Sequence, residues 1–276
     1  MGIEIRFGAV ILNKDVSAIF GVGLQGGMRR SLSKNVLVLI SDHTRGVYED
    51  RWEGDIIHFT GMGQKGHQTL GYQNRTLAES RTNGVVVHLF EVFERGKYTY
   101  VGRVALAGEP YRERQPDVDG NLRDVWMFPL RIVEGARPIP DARAVSRAGM
   151  AREKVLAQRP LETLRKIAMA APAGPARRLA TTEVIERNAA VSAYVKQAAN
   201  GVCDLCRKPA PFRNRKGEAY LECHHIVPLA AGGEDSLNNA VALCPNCHRK
   251  MHVLNLEEDR ARLEQRIRER EGAKAD

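Results

Sequence analysis

Two Cys-x-x-Cys pairs, Cys203/Cys206 and Cys244/Cys247, constrain this chain more than any other feature of its sequence. Four thiolates on two knuckles make a tetrahedron, the geometry zinc adopts in structural sites. An ion held this way staples a small domain, because metal binding becomes part of the folding free energy. The fifth cysteine, Cys223, lies in a strand-like stretch and reads as a buried hydrophobe. The N-terminus carries charges at Glu4 and Arg6 and no small-residue cleavage site, so a signal peptide is not expected. In a chain without an export signal, such pairs favour metal thiolates over disulfides. A bacterial cytoplasmic protein is expected. No apolar run approaches the roughly twenty residues of a membrane helix, so no membrane partner is expected.

The stretch LECHHIVPLAAGGEDSLNNAVALCPNCHRKMH, from Leu221 to His252, adds four histidines to the second knuckle. YLECHHIVPL alternates as a strand does, which sends His224 and His225 to opposite faces and gives them different tasks. His248 and His252 are four apart at the start of a helix and can approach one metal. The cysteines already fill a tetrahedron, so these histidines are left for a second ion. The Gly- and Asn-rich segment between them is a loop joining a strand pair.

This segment resembles the HNH (ββα-metal) nuclease motif in its zinc-stapled form, across roughly residues 183–255. The resemblance implies that His225 is the general base that activates water. It implies that His224 and His248 are ligands of a catalytic divalent metal, with His252 a further ligand. Asn239 corresponds to the residue that orients the base histidine and its loop, with Asn238 the less favoured candidate. A histidine with an ordinary pKa near 6.5 can take a proton from water at neutral pH. A hard cation neutralises the phosphate and the leaving 3′ oxygen. Mg²⁺ is the expected ion, with Mn²⁺, Co²⁺ or Ni²⁺ better suited to imidazole.

The charge balance is uneven. The chain has a net charge of +9, of which residues 1–135 contribute +1 and the remainder +8. Arg137–Thr182 alone holds ten basic and three acidic residues, the footprint of a polyanion partner. The first half reads as strands at Asn35–Ile40, Ile56–Thr60, Val85–Phe93, Tyr98–Ala107 and Val125–Val133, with one helix near Gln73. After a Pro-punctuated linker, Val145–Ala171 reads as helical. A further helix is expected from an N-cap at Thr182 to about Asn200, and a charged one over Glu257–Gly272.

Taken alone, the loop GVYEDRWEGDIIHFTGMG could cup a planar ligand, or could be a core hairpin. The ordered motifs GVYED, HFTGMG, QNRTLAES, VVVHLF, YTYVGRV and VWMFPLRIV are similar to those of SRA (YDG) domains, across about residues 15–134. That family binds DNA containing 5-methylcytosine by flipping the base into a pocket. The resemblance implies stacking aromatics at Tyr48 and Phe59, followed by Thr60 in the pocket strand. It implies an acid, Asp50 or Glu49, accepting from the cytosine amino group. Trp52 is a pocket wall or core. Arg29 and Arg30, in QGGMRRS, are candidates for phosphate contacts, against ordinary solvated arginines.

The expected fold class is therefore α+β: a mostly-β SRA (PUA-like) barrel over residues 1–136, a basic helical linker over 137–181, and an HNH domain with a four-cysteine zinc site over 182–276. The combination resembles McrA-like type IV restriction endonucleases, which cut DNA carrying 5-methylcytosine or 5-hydroxymethylcytosine. Double-stranded DNA with a modified cytosine is the expected partner. A homodimer through the HNH and linker region is also expected, because one HNH site cuts one strand. Two rival readings are a non-catalytic reader of methylated DNA and a nuclease indifferent to methylation.

Overall fold

The computed structural model describes residues 5–46, 48–171, 178–185 and 187–272. They form two compact units divided between Thr182 and Glu183. In chain order the first unit contains β1 (Val10–Leu12), α1 (Asn13–Phe20), β2 (Met28–Ser31), β3 (Val36–Asp42), β4 (Arg51–Glu53), β5 (Ile56–Thr60), α2 (Tyr72–Ala78), β6 (Val86–Glu94), β7 (Lys97–Leu106), β8 (Tyr111–Pro116), β9 (Leu122–Gly135), α3 (Ala142–Leu156) and α4 (Leu161–Ala170). The strands build one mixed sheet in the order β2-β3-β6-β7-β9-β5-β4, with β1 beside β7 and β8 beside β9. Its β3–β6 pair is parallel.

The continuous apolar run of β3 follows from burial on both faces. Leu37 and Leu39 enter the main core with Ile57, Phe59, Leu89, Val101, Phe128 and Leu130. Val36, Val38 and Ile40 face the other way, under Val16 and Phe20 of α1. Met28 from one edge strand and Trp52 from the other both reach the main core, so the sheet curls around it. Two glycines permit the closest approach within it. A Cβ on Gly102 would lie 2.1 Å from the Glu134 carbonyl oxygen, and one on Gly135 would lie 2.4 Å from that of Val101. Both have φ above +130°, so β7 and β9 cross here where side chains are excluded.

Several expectations change here. Arg29 and Arg30 lie in β2, paired to β3, rather than in a free loop. The helical stretch expected over Val145–Ala171 is two helices, because Pro160 breaks it after Leu156. The carboxylate of Asp141 caps α3 by accepting from the Arg143 and Ala144 amides at 2.8 and 3.2 Å. Both helices belong to the first unit: α3 packs on β6 and α4 on β8.

The second unit contains α5 (Ala189–Ala198), β10 (Glu222–His225), β11 (Ala240–Leu243), α6 (Pro245–Val253) and α7 (Glu257–Gly272). Thr182 does not cap α5. Asn188 does, accepting from the Ala190 amide at 3.0 Å, because β-branched Thr182, Val184 and Ile185 disfavour an earlier helical turn. The β10–β11 hairpin lies between helices. Val241 and Leu243 pack with Met251, Leu263 and Ile267, while Cys223 and Ala240 pack with Val191 and Val195 of α5. Among the described residues, no helix is long and apolar enough to cross a membrane.

Candidate active site and base pocket

The sulfurs of Cys203, Cys206, Cys244 and Cys247 lie within 4.8 Å of one another. None of the five cysteines is disulfide-bonded. The Cys244 amide donates to Cys203 Sγ at 3.3 Å, a bond that favours a thiolate. Burial pushes the Cys203 and Cys247 thiols up, an opposing cost that a dication would offset. Converging sulfurs, a donated amide and a buried position all fit zinc. Cys203 and Cys244 are also members of the second unit's core, so the ion would sit inside the packing it supports.

Strand alternation divides the histidines as the sequence requires. Glu222 and His224 project from β10 toward α6, and Cys223 and His225 toward α5. His224, His248 and His252 present nitrogens within 4.8 Å of one another, with ring centroids 4.6–5.2 Å apart. His248 Nε2 and His252 Nε2 are 3.0 Å apart. Burial, joined by the neighbouring His248 and His252, lowers the pKa of His224 to about 4, so this imidazole is neutral and able to ligate. These three histidines could hold a metal ion, separate from the one the thiols could hold.

His225 takes no part in that set. It is 6% exposed, and its Nε2 pairs with Asp235 Oδ1 at 2.9 Å. Asp235 lies below the usual carboxylate range because the Asn188 amide and His225 both donate to it. Among the described residues, the Asn239 side chain makes no hydrogen bond to His225. That side chain folds the loop instead: Oδ1 accepts from the Val227 amide at 2.8 Å, and Nδ2 donates to the Val227 and Glu234 carbonyls at 2.9 and 2.8 Å. Gly233 completes that loop, where a Cβ would lie 2.0 Å from the Val227 oxygen.

In the first unit, Asp50 Oδ1 accepts from the Thr60 amide at 2.8 Å. Burial pushes its pKa up to about 6 against that bond. The hydroxyls of Ser41 and Thr60 help to restrain the rise, yet both oxygens are buried without a full hydrogen bond among the described residues. Tyr48 is half-buried against Gly63, and burial raises its pKa. Gly63 also accepts from the buried Arg123, through Nη1 at 2.5 Å.

Next to this group lies Glu91, fully buried on β6. Its Oε1 takes bonds from His43 Nε2 at 2.9 Å, Trp52 Nε1 at 3.0 Å and Arg178 Nη1 at 3.0 Å. Burial works to raise its pKa, but His43 and Arg178 hold it below the ordinary value.

A family model described as ScoMcrA-like, SRA domain, matches residues 7–148, and one described as HNH endonuclease matches residues 203–253. The chain belongs to the ScoMcrA-like SRA family. Its second unit carries an HNH endonuclease domain. The type IV methyl-directed restriction enzyme EcoKMcrA of Escherichia coli is 49% identical over 70 residues, a quarter of this chain and a quarter of that protein. The chain therefore spans only part of this relative. Among solved structures, the type IV phosphorothioation-dependent restriction endonuclease ScoMcrA aligns at 18% identity with a TM-score of 0.40, over 99% of this chain and 56% of that one. The SUVH5 SRA complex with hemimethylated CG DNA aligns at 20% identity and a TM-score of 0.39, over 49% of this chain and 94% of that one.

Within the SRA unit, Tyr48 and Asp50 lie just before β4, and Asp50 meets Thr60 at the end of β5. Glu49 instead pairs with Arg152 of α3. Phe59 is 2% exposed and packed in the main core. Trp52 is partly buried against that core, with Arg137 stacked 4.6 Å over its ring. Arg29 donates to Gly26 O, Asn13 Oδ1 and Tyr98 Oη, and Arg30 to the Ser31 and Val36 carbonyls and Asn35 Oδ1. These bonds engage three of the five N–H donors of each guanidinium.

Sequence reading missed Asp235, Glu222, Glu91 and His43. Glu222 carried a usable signal, being two residues before His224 and so on the same strand face. Glu91 carried another, as the one acid inside the apolar run VVVHLFEVF.

Proposed function

We propose that the protein is a metal-dependent DNA endonuclease that restricts DNA carrying 5-methylcytosine. The observation that supports it most is the division of labour on β10. His224 joins His248 and His252 in one ligand set, while His225, its neighbour in sequence, turns away to Asp235. Phosphodiester hydrolysis needs those two functions side by side, a cation and a base.

A divalent cation held by His224, His248 and His252 would neutralise charge on the phosphate and the leaving oxygen. His225 donates its Nε2 proton to Asp235, which leaves Nδ1 free to take a proton from water. Asp235 then stabilises the imidazolium that results, as the carboxylate does in a catalytic triad. The hydroxide formed attacks phosphorus, the bond to the 3′ oxygen breaks, and that oxygen leaves with a proton drawn from solvent. Asn239 acts one step removed, by fixing the loop on which Asp235 sits. The four cysteines would hold a structural zinc within the core of the second unit.

The SRA unit supplies selection. A flipped cytosine would enter beside Tyr48 and present its amino group to the Asp50 carboxylate, already aligned by the Thr60 amide. Flipping costs a few kcal/mol, which only a base that fits the pocket repays. Two copies of the chain, each cutting one strand, would give a double-strand break.

The experiment is equilibrium binding of the full chain to duplexes that differ only in one 5-methyl group, with a fluorescent base analogue opposite that cytosine. Tighter binding and unstacking fluorescence on the methylated duplex alone support the reading. Equal affinity without a fluorescence change would remove the flipping pocket and leave the nuclease.

A further inference from the structure

Glu222 stands on the same face of β10 as His224, and its two oxygens are both engaged. Oε2 accepts from His248 Nδ1 at 2.5 Å, and Oε1 accepts from the Tyr220 hydroxyl at 3.1 Å. A proton fixed on Nδ1 leaves the lone pair of His248 on Nε2. That nitrogen is the one that faces His252 Nε2 at 3.0 Å. From these contacts we infer that Glu222 is the positioning residue of the catalytic metal site, setting the tautomer, the ring angle and the basicity of His248, with Tyr220 holding the carboxylate in place. The inference rests on the nuclease reading and deepens it.

The chemistry favours this role over two others. A carboxylate behind a metal-bound imidazole pushes electron density toward the ion, and removing such a partner typically costs ten- to a hundredfold in metal affinity. Direct ligation by Glu222 would compete with its bond to His248 or to Tyr220, and the ligand atoms that converge are those of the three histidines. A mere tie between β10 and α6 would need hydrogen bonding but no charge. Glutamine preserves shape and hydrogen bonding and removes the charge, so it separates these cases.

The test is Mn²⁺ titration of the full-length, zinc-loaded protein, with free Mn²⁺ read by its electron paramagnetic resonance signal. The variants are Glu222→Gln, Tyr220→Phe and His248→Ala. Zinc content and circular dichroism establish that each is folded. The expected result is about ten- to a hundredfold weaker Mn²⁺ binding in Glu222→Gln and a smaller, several-fold loss in Tyr220→Phe. Cleavage lost by Glu222→Gln at low Mn²⁺ returns when Mn²⁺ is raised by the same factor. Binding within twofold of wild type in both variants would make Glu222 a structural tie and overturn the inference. Complete loss of binding that no Mn²⁺ concentration restores would make it a ligand and overturn it equally. If wild type takes up no more Mn²⁺ than His248→Ala, the histidine metal site itself fails, and the nuclease reading fails with it.

Discussion

Asp50→Asn removes a charge that burial disfavours in the first unit. The carboxyl pKa is raised from 3.8 to about 6, roughly two units, and at 1.36 kcal/mol per unit this is a cost of about 3 kcal/mol once the group is fully ionised. The folded state holds its proton more tightly than the unfolded one. This group's contribution to stability therefore falls as pH rises from about 4 through 6 and is level above that. Asparagine keeps an oxygen to accept from the Thr60 amide, and its new amide protons face the unsatisfied hydroxyls of Ser41 and Thr60. Thermal melts of the full chain should show the SRA transition rising by about 5–10 °C at pH 8. Of this gain of about 3 kcal/mol, roughly half should remain at pH 5. The same variant should bind a flipped cytosine more weakly and lose its preference for cytosine over thymine, because an amide nitrogen cannot accept from the base's amino group. A lower melting temperature at pH 8, or a difference that does not change between pH 5 and pH 8, would refute this reasoning.

Three further outcomes follow from the HNH unit. Asp235→Asn should lower single-turnover cleavage about a hundredfold or more, with DNA affinity unchanged; an unchanged rate would mean that His225 needs no partner. Asn239→Ala removes three loop hydrogen bonds and should destabilise the second unit by about 2–4 kcal/mol in urea titration, while a loss under about 0.5 kcal/mol would show that the loop is held otherwise. Chelation of zinc should abolish the melting transition of the second unit while the first retains its own, a difference that calorimetry resolves. Two intact transitions in metal-free protein would contradict a structural ion.

Much of this organisation was legible in the sequence because it rests on short-range periodicity. The split between His224 and His225 is strand alternation. The approach of His248 to His252 is helical spacing. The knuckles needed only their own spacing, and β5 and α7 have the boundaries expected from composition. What escaped depends on distant partners. Arg29 looks solvent-seeking beside Arg30, yet it is buried by Asn13 and Tyr98, sixteen and sixty-nine residues away in sequence. Asp235 became visible only once the Asn239 side chain had folded the loop. The edge strands β1, β4 and β8 are short or rich in charge, and the partner strand rather than local propensity places them. α1 has only eight residues, too few for periodicity to separate it from a loop. Glu91 and Arg178, eighty-seven residues apart, pair only because the chain beyond α4 returns to β6.

The most direct measurement is cleavage of one plasmid prepared with and without cytosine-5 methylation, in Mg²⁺ and in Mn²⁺, by the wild-type protein and by His225→Ala. Cutting of the methylated plasmid only, and none by the variant, is expected. Equal cutting of both plasmids, or undiminished cutting by His225→Ala, would contradict it.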